Sequence, residues 1–368
     1  MTEALTAAEG DTLARARREL WQAVCARDEY AAARAVFGAL DSGAGTEDVL
    51  LDVIAAVQRE VGRAWAENRF SVAQEHSATA IHDRIIAAMA HRIPEPSPTG
   101  AAGTVTVACV DGEWHALPAR LLAEVLRGRG YRVDFLGAQV PTPHLIAHLH
   151  STSPTAVALS SSIPLRLPAA HTAITAVQAL AIPVVAGGSA FGFDGRYARL
   201  LGADAWAPDA RAAAELLGRG LRRPARGAVR QSIEDLPHLA DQEYTLVLRS
   251  RRQLVKNALA GLLERVPAMR AYTDAQHERT AEDVAHVVEF LGCALYTDDG
   301  DLFTGFLDWT GDILEARRVP SRVLDPCLVL LEEELKDFPR ALGFLARGRE
   351  TLRRRDARPP VPGPDSSA

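Results

Sequence analysis

The sequence predicts three blocks: a four-helix bundle, a five-stranded parallel Rossmann-like α/β layer, and an all-α C-terminal domain. Three observations carry that reading. Residues 11–91 repeat apolar side chains at three- and four-residue steps. Residues 104–221 alternate short β-branched runs with helical runs. From about 242 to 355 the helical spacing returns and holds. A length of 368 residues accommodates two or three such domains.

In the first block, taken as 1–92, "DTLARARRELWQAV" has a helical repeat. "TEDVLLDVIAAVQREVGRAW" repeats it, with Thr46 predicted as N-cap and Glu47 and Asp48 in the first turn. "SVAQEHSATAIHDRIIAAMAHR" starts at Ser71, and Gln74 three residues on completes a capping box. Four helices with short connections predict an up-down bundle. "RIPEPSPTGAAG" at 92–103 reads as a linker. In the second block, 103–221, the strands are "TVTVACV", "YRVDFLG", "AVALSSS", "IPVVAGG" and "ADAWAPD", each followed by a helical run. That alternation predicts a doubly wound sheet, which takes ligands beyond the carboxyl ends of its strands. "RRPARGAVRQSIEDLPHL" at 222–239 reads as a second linker, 240–355 as helical, and the Pro- and Ser-rich 356–368 as a disordered tail.

Composition bounds the function. The chain is 48% hydrophobic and 24% charged, with a net charge of −6. No global basic field invites nucleic acid, and "RSRRQLVK" and "RGRETLRRR" read as solvated helix faces. No apolar run is long enough to span a membrane, and the first twenty residues lack a signal-peptide h-region. Cys25, Cys109, Cys293 and Cys327 are scattered without a CxxC, which fits a cytoplasmic chain without disulfides or zinc.

The chemistry gathers at strand ends. After the first strand comes "DGEWHALP", which places His115 in the loop where ligands bind, two residues after Glu113. Such a pair reads as a metal-ligating imidazole oriented by a carboxylate. An isolated loop histidine is ordinarily just solvated. Two further segments strengthen the reading: "LSSSIP" ends the third strand, and "AGGSAFG" ends the fourth. Small residues on adjacent strand ends open a slot for a long ligand tail.

These segments resemble the cobalamin-binding domain, whose pattern is D-x-H-x-x-G, then S-x-L, then GG. Here they read Glu113-x-His115-x-x-Pro118, Ser160-Ser161-Ser162 and Gly187-Gly188. The resemblance implies that His115 ligates cobalt from below, and that Ser160, Ser162, Gly187 and Gly188 line the displaced nucleotide tail. Glu in place of Asp keeps the carboxylate; Pro118 in place of Gly changes the local loop path. In the bundle, "WAENRFSVAQEH" has the W-x(9)-E-H spacing of Trp65, Glu75 and His76. It is similar to the light-sensing cobalamin repressors of carotenoid genes. That similarity implies that Trp65, Glu75 and His76 cap a 5'-deoxyadenosyl group on the upper cobalt face. In those repressors a His follows the Trp and takes over cobalt after photolysis. Here Ala66 stands in its place, and His82 is a weaker substitute that reads more simply as a helix-surface residue.

The C-terminal block carries Phe290, Phe303, Phe306 and Trp309 at helical spacing, most simply core. The order of a cobalamin module followed by a globin-like helical domain resembles the photocobilins. That resemblance implies a biliverdin chromophore, for which Arg279, His286 and Trp309 are the candidate contacts. Cys293 and Cys327 have apolar neighbours and read as plain buried thiols. The expectation is a light sensor using adenosylcobalamin and biliverdin. It has no catalytic domain and signals through a homo-oligomer or a protein partner. A corrinoid methyl-transfer protein and a non-photic cobalamin-dependent regulator are the alternatives.

Overall fold

The computed structural model describes residues 2–92, 102–224 and 232–357. Most of the first linker, residues 225–231 of the second and nearly all of the expected disordered tail lie outside the described residues. The chain divides into two compact units, Met1–Asp235 and Leu236–Ala368.

The first unit opens with α1 (Thr2–Ala26) and α2 (Glu29–Asp41), the latter capped by Asp28, whose carboxylate accepts the Ala31 N–H at 2.9 Å. Next come α3 (Thr46–Asp48), a π turn (Val49–Ile54) and α4 (Ala55–Ala66), which run on as one helix. The N-cap is Gly45 rather than Thr46, which is already helical. The Gly45 backbone is extended and its carbonyl already accepts the Val49 N–H at 2.9 Å, so the helix begins one residue earlier. The fourth bundle helix is α5 (Val72–Ala90), and it begins with the expected capping box of Ser71 and Gln74.

The α/β layer follows as β1 (Thr104–Cys109), α6 (Ala116–Gly128), β2 (Arg132–Gly137), α7 (Thr142–Thr152), β3 (Ala156–Ser160), α8 (Leu167–Ala179), β4 (Val184–Gly187), α9 (Arg196–Leu200), β5 (Ala205–Ala207) and α10 (Ala210–Arg219). All pairings are parallel and the order is β2-β1-β3-β4-β5. The chain winds one way from β1 to β2 and the other way from β3 onward, so the switch point lies at the carboxyl ends of β1 and β3. In register, Cys109 faces Ser160, Ser160 faces Gly187, and Gly187 faces Ala207. One hydrophobic cluster contains Leu20, Leu50, Ile54 and Ile86 of the bundle together with Val105, Leu121 and Leu126 of the layer. Bundle and sheet therefore share a core.

Part of the expected second linker is ordered as α11 (Ser232–Asp235) and a 3-10 turn (Pro237–Asp241). His171, buried on α8, supplies a reason: its imidazole meets Asp235 at 3.2 Å.

The second unit contains α12 (Glu243–Arg265), α13 (Asp274–Thr297), α14 (Gly300–Ala316), α15 (Asp325–Glu334) and α16 (Pro339–Asp356). Val288, Leu291, Phe303, Leu328 and Leu345 are fully buried at its centre, and Phe290 stacks on Phe306 at 3.8 Å. Trp309 departs from the expected core. It is 49% exposed, at the rim of the α14 face that buries Leu302, Phe303 and Phe306. No helix among the described residues is long and apolar enough to cross a membrane.

Candidate cofactor site

Glu113 and His115 leave β1 at its carboxyl end. The Glu113 N–H donates back to the Val110 carbonyl at 2.9 Å, and Gly112 supplies the positive φ (+76°) of the turn. This turn drives the Glu113 side chain fully into the protein. A buried carboxylate is tolerable only when satisfied, and this one accepts five hydrogen bonds. One oxygen, Oε1, takes His115 Nδ1 at 2.6 Å and the His115 backbone N–H at 2.9 Å. The other, Oε2, takes Ser161 Oγ at 3.0 Å and the N–H groups of Ser162 and Ile163 at 2.7 and 3.1 Å. Burial pushes the Glu113 pKa up, but the bonds from His115, Ser162 and Ile163 outweigh it and hold the carboxyl at about 2.

An ionised carboxylate only accepts, so the proton of this bond sits on His115 Nδ1. Nε2 then presents its lone pair from a ring that is 55% exposed. The Glu113 hydrogen bond raises the His115 pKa; burial opposes it, and the charges of Glu113 and Glu75 add to the rise. A neutral imidazole oriented from behind by a carboxylate is the arrangement of a metal ligand. His115 also stands at the N-cap position of α6, so Pro118 falls in the first turn. There its missing N–H costs no intrahelical bond.

The three serines make different contacts. Ser160 is buried at the end of β3. Ser161, which the sequence did not single out, gives its hydroxyl to Glu113. Ser162 gives Glu113 its backbone N–H, and its carbonyl accepts from Ser189 Oγ at 2.8 Å. The two glycines also differ. Gly188 has φ +98°, and a Cβ there would lie 2.2 Å from the Ser161 carbonyl oxygen, so the chain's own close approach demands glycine. At Gly187 a Cβ would meet only the Ala207 carbonyl, at 3.4 Å, which is ordinary contact. Glycine at 187 therefore leaves room beside the switch point rather than avoiding a clash. An outward lone pair on His115 and this room fit a cobalt-bearing macrocycle with a tail.

In the bundle, Trp65 at the end of α4 is half-buried against the core. Glu75 and His76 lie in the first turn of α5, joined through Oε2 and Nδ1 at 2.7 Å, with the His76 ring 75% exposed. Ala66 closes α4 and offers no ligating side chain. His82 is fully buried, not on the helix surface as expected. Its Nδ1 meets Gln58 Oε1 at 2.6 Å; Gln58 Nε2 donates to Thr79 Oγ1 at 2.8 Å; Thr79 Oγ1 donates to Glu75 Oε1 at 2.9 Å. The sequence reading missed Gln58 and Thr79, although 75, 79 and 82 recur at steps of four and three on one helix face. Glu75 also acts electrostatically on His115, so the first turn of α5 and the loop after β1 face a common region. Arg129 binds Glu47 through two 2.9 Å bonds, and Arg211 binds Asp48 and Asp52 at 2.6 Å each, which fastens the bundle to the α/β layer. A separate cleft of about 450 Å³ between α1 and α4 is lined by Arg17, Arg18, Arg59 and Arg63, on the side of α4 turned away from Gln58 and Trp65.

In the second unit, Arg279 and His286 are exposed on α13, and their charges both act on Asp283. Burial pushes the Cys293 thiol up and the Cys327 thiol up to about 12, so neither supplies a thiolate near neutral pH.

Residues 103–217 match the model of the B12 binding domain, and residues 16–89 match a second B12 binding domain model. No curated protein matches the chain. Among solved structures, it is similar to the monomethylamine corrinoid protein of Methanosarcina barkeri, at 16% identity and a TM-score of 0.47 over 54% of this chain and 95% of that one. It is also similar to a chain of the methanol:cobalamin methyltransferase complex of the same organism, at 19% identity and a TM-score of 0.29 over 54% and 76%. A cobalamin-binding protein of Desulfitobacterium hafniense aligns at 19% identity with a TM-score of 0.30 over 54% and 96%. Together with the Glu113–His115 geometry, the two matched domains make this chain a cobalamin-binding protein.

Proposed function

We propose that the protein is a light sensor that holds adenosylcobalamin between its bundle and its α/β layer. The observation that carries the reading is the pairing of two halves across one site. His115 is a carboxylate-oriented imidazole suited to be the lower half, and Glu75, bound to His76, is close enough to act on it; Trp65 would complete the upper half. Bound adenosylcobalamin supplies a cobalt–carbon bond that visible light breaks. The protein's residues do the rest. Glu113 holds His115 Nε2 outward as the lower ligand. Trp65 offers a flat apolar wall, and Glu75 and His76 offer polar partners to a nucleoside. A bundle that contacts the adenosyl group loses those contacts when the group leaves, and only such differential contacts bias a conformational change. The output is a change of oligomeric state or of partner binding.

A methyl-carrying corrinoid protein would use the same lower half. A methyl group gives Glu75 and its hydrogen-bond chain nothing to bind, and this favours the adenosyl form. For the second unit the reading is a globin-like bilin domain, with Arg279, His286 and Trp309 toward biliverdin. Its support is the resemblance in domain order. The test is one absorption series. The protein is produced with biliverdin, loaded with adenosylcobalamin in the dark, desalted, and recorded before and after illumination. Retained cobalamin bands that change with light support the sensor, and a red band adds the bilin. Bands that survive desalting but ignore light overturn the light-sensing reading.

A further inference from the structure

We propose that Gln58, Thr79 and His82 are positioning residues that hold the Glu75 carboxylate for the upper ligand, and thereby set which cobalamin the site retains. The inference rests on the reading of Glu75 as an upper-face contact.

The hydrogen bonds run in one direction, and the donor inventory fixes every member. Thr79 has a single hydroxyl proton and gives it to Glu75 Oε1, which as a carboxylate can only accept. Its lone pairs are therefore what the Gln58 amide nitrogen meets. That orientation turns Gln58 Oε1 toward His82, so His82 Nδ1 carries the proton and Nε2 is bare. His82 Nε2 is buried and has no hydrogen-bond partner. Burial also lowers the His82 pKa to about 4, which keeps the ring in this neutral form near neutral pH.

Such a chain is not how a helix pair is stabilised. An unsatisfied buried acceptor costs free energy, and apolar residues of similar shape would pack α4 against α5 without that cost. The chain ends on the exposed side at Glu75, whose second oxygen binds His76. Gln58 and Trp65 are seven residues apart and share a face of α4; Glu75, Thr79 and His82 share a face of α5. The partly buried polar column, rooted at buried His82, and the flat aromatic wall thus rise side by side toward the cofactor's upper side. A carboxylate gripped on Oε1 has one fixed direction for its remaining acceptor positions. A ribose hydroxyl can use that fixed acceptor, and a methyl group cannot.

The test compares dark dissociation of adenosylcobalamin and methylcobalamin from the full chain. Wild type is expected to retain the adenosyl form longer. Thr79→Val keeps the shape and removes the hydroxyl, and it should shorten adenosyl retention about tenfold while leaving methyl retention unchanged. Thr79→Ser should restore the wild-type ratio. Equal losses for both cobalamins would mean a merely structural role and would overturn the proposal. If Glu75→Ala removes the preference and Thr79→Val does not, the positioning role fails while the Glu75 reading stands. If wild type shows no preference and Glu75→Ala changes nothing, the Glu75 reading itself fails and takes the proposal with it.

Discussion

Both units bury a carboxylate against backbone N–H groups, and the two carboxylates do different things. Glu113 is 1% exposed and Glu243 is 4% exposed. Glu243 accepts the N–H groups of Arg340 and Ala341 at 3.1 and 2.9 Å, in the first turn of α16, whose N-cap Phe338 offers no acceptor. The Arg340 side chain turns to Asp241 and Asp298. Every partner there is spent on holding helices together. Glu113 accepts from backbone just as fully, yet one of its bonds goes to an imbalanced partner: an imidazole with its other nitrogen facing outward. Burial and satisfaction mark both carboxylates as structural. What separates them is a half-exposed group with unused bonding capacity at the far end of one network.

That contrast can be broken by mutation. The largest effect is expected from Glu113→Ala, which strips five donors of their acceptor. Each buried donor left unsatisfied costs roughly 1–3 kcal/mol, so even with partial relaxation the first unit should lose about 4 kcal/mol in denaturant unfolding. Cobalamin affinity should fall roughly 10- to 100-fold, as for other groups that orient a ligating histidine. Glu243→Ala should cost about 2–3 kcal/mol in the second unit by removing the acceptor at the start of α16. Cobalamin retention should be unchanged; a loss of cobalamin in that variant would erase the contrast between the units.

A pH titration of stability sharpens the same comparison within the first unit. Burial depresses the His82 pKa from 6.5 to about 4. The folded state therefore resists a proton that the unfolded chain accepts. The stability is fully present above pH 6.5 and declines as pH falls toward about 4, by on the order of 3 kcal/mol at most. Glu113, held at about 2, contributes stability present above its ordinary value of 4.5 and lost from there down to about 2. His115 has a raised pKa and the opposite sign: its contribution is present below 6.5 and is lost as pH rises through the folded value. The unfolding free energy of wild type should thus fall relative to that of His82→Leu as pH drops from 6.5 to about 4, because only wild type carries a buried ring that resists the proton its unfolded chain accepts. A constant gap between the two curves would contradict the burial account. The smallest effect belongs to Arg211→Ala. Its partners Asp48 and Asp52 are 40% and 48% exposed, so solvent screening limits the loss to about 1 kcal/mol, and added salt should shrink it further.

Much of this was legible in the sequence because it depends on local pattern. The Ser71–Gln74 box, the five strands and the placement of His115 beyond β1 follow from spacing alone. Glu113 and His115, two residues apart, could be paired from the sequence for the same reason. What escaped depends on distance in the chain. Ser161 reaches a carboxylate 48 residues away, and Gln58 reaches His82 across 24. The π turn Val49–Ile54 breaks the 3.6-residue period that a helix reading assumes. Gly45 displaces Thr46 as the cap because its carbonyl already accepts the Val49 N–H, a backbone bond that no propensity encodes. Trp309 followed the apolar period but lies at its rim.

The central claim is that His115 Nε2 is the cobalt ligand, and the most direct test reads that bond. The protein is labelled with nitrogen-15 histidine, loaded with unlabelled cob(II)alamin, and examined by electron paramagnetic resonance. If His115 binds cobalt, the superhyperfine triplet of a nitrogen-14 ligand becomes a doublet, and His115→Ala abolishes the doublet. A triplet that persists in the labelled wild-type protein would show that the cofactor keeps its own base, and the account of the site built on Glu113 and His115 would be wrong.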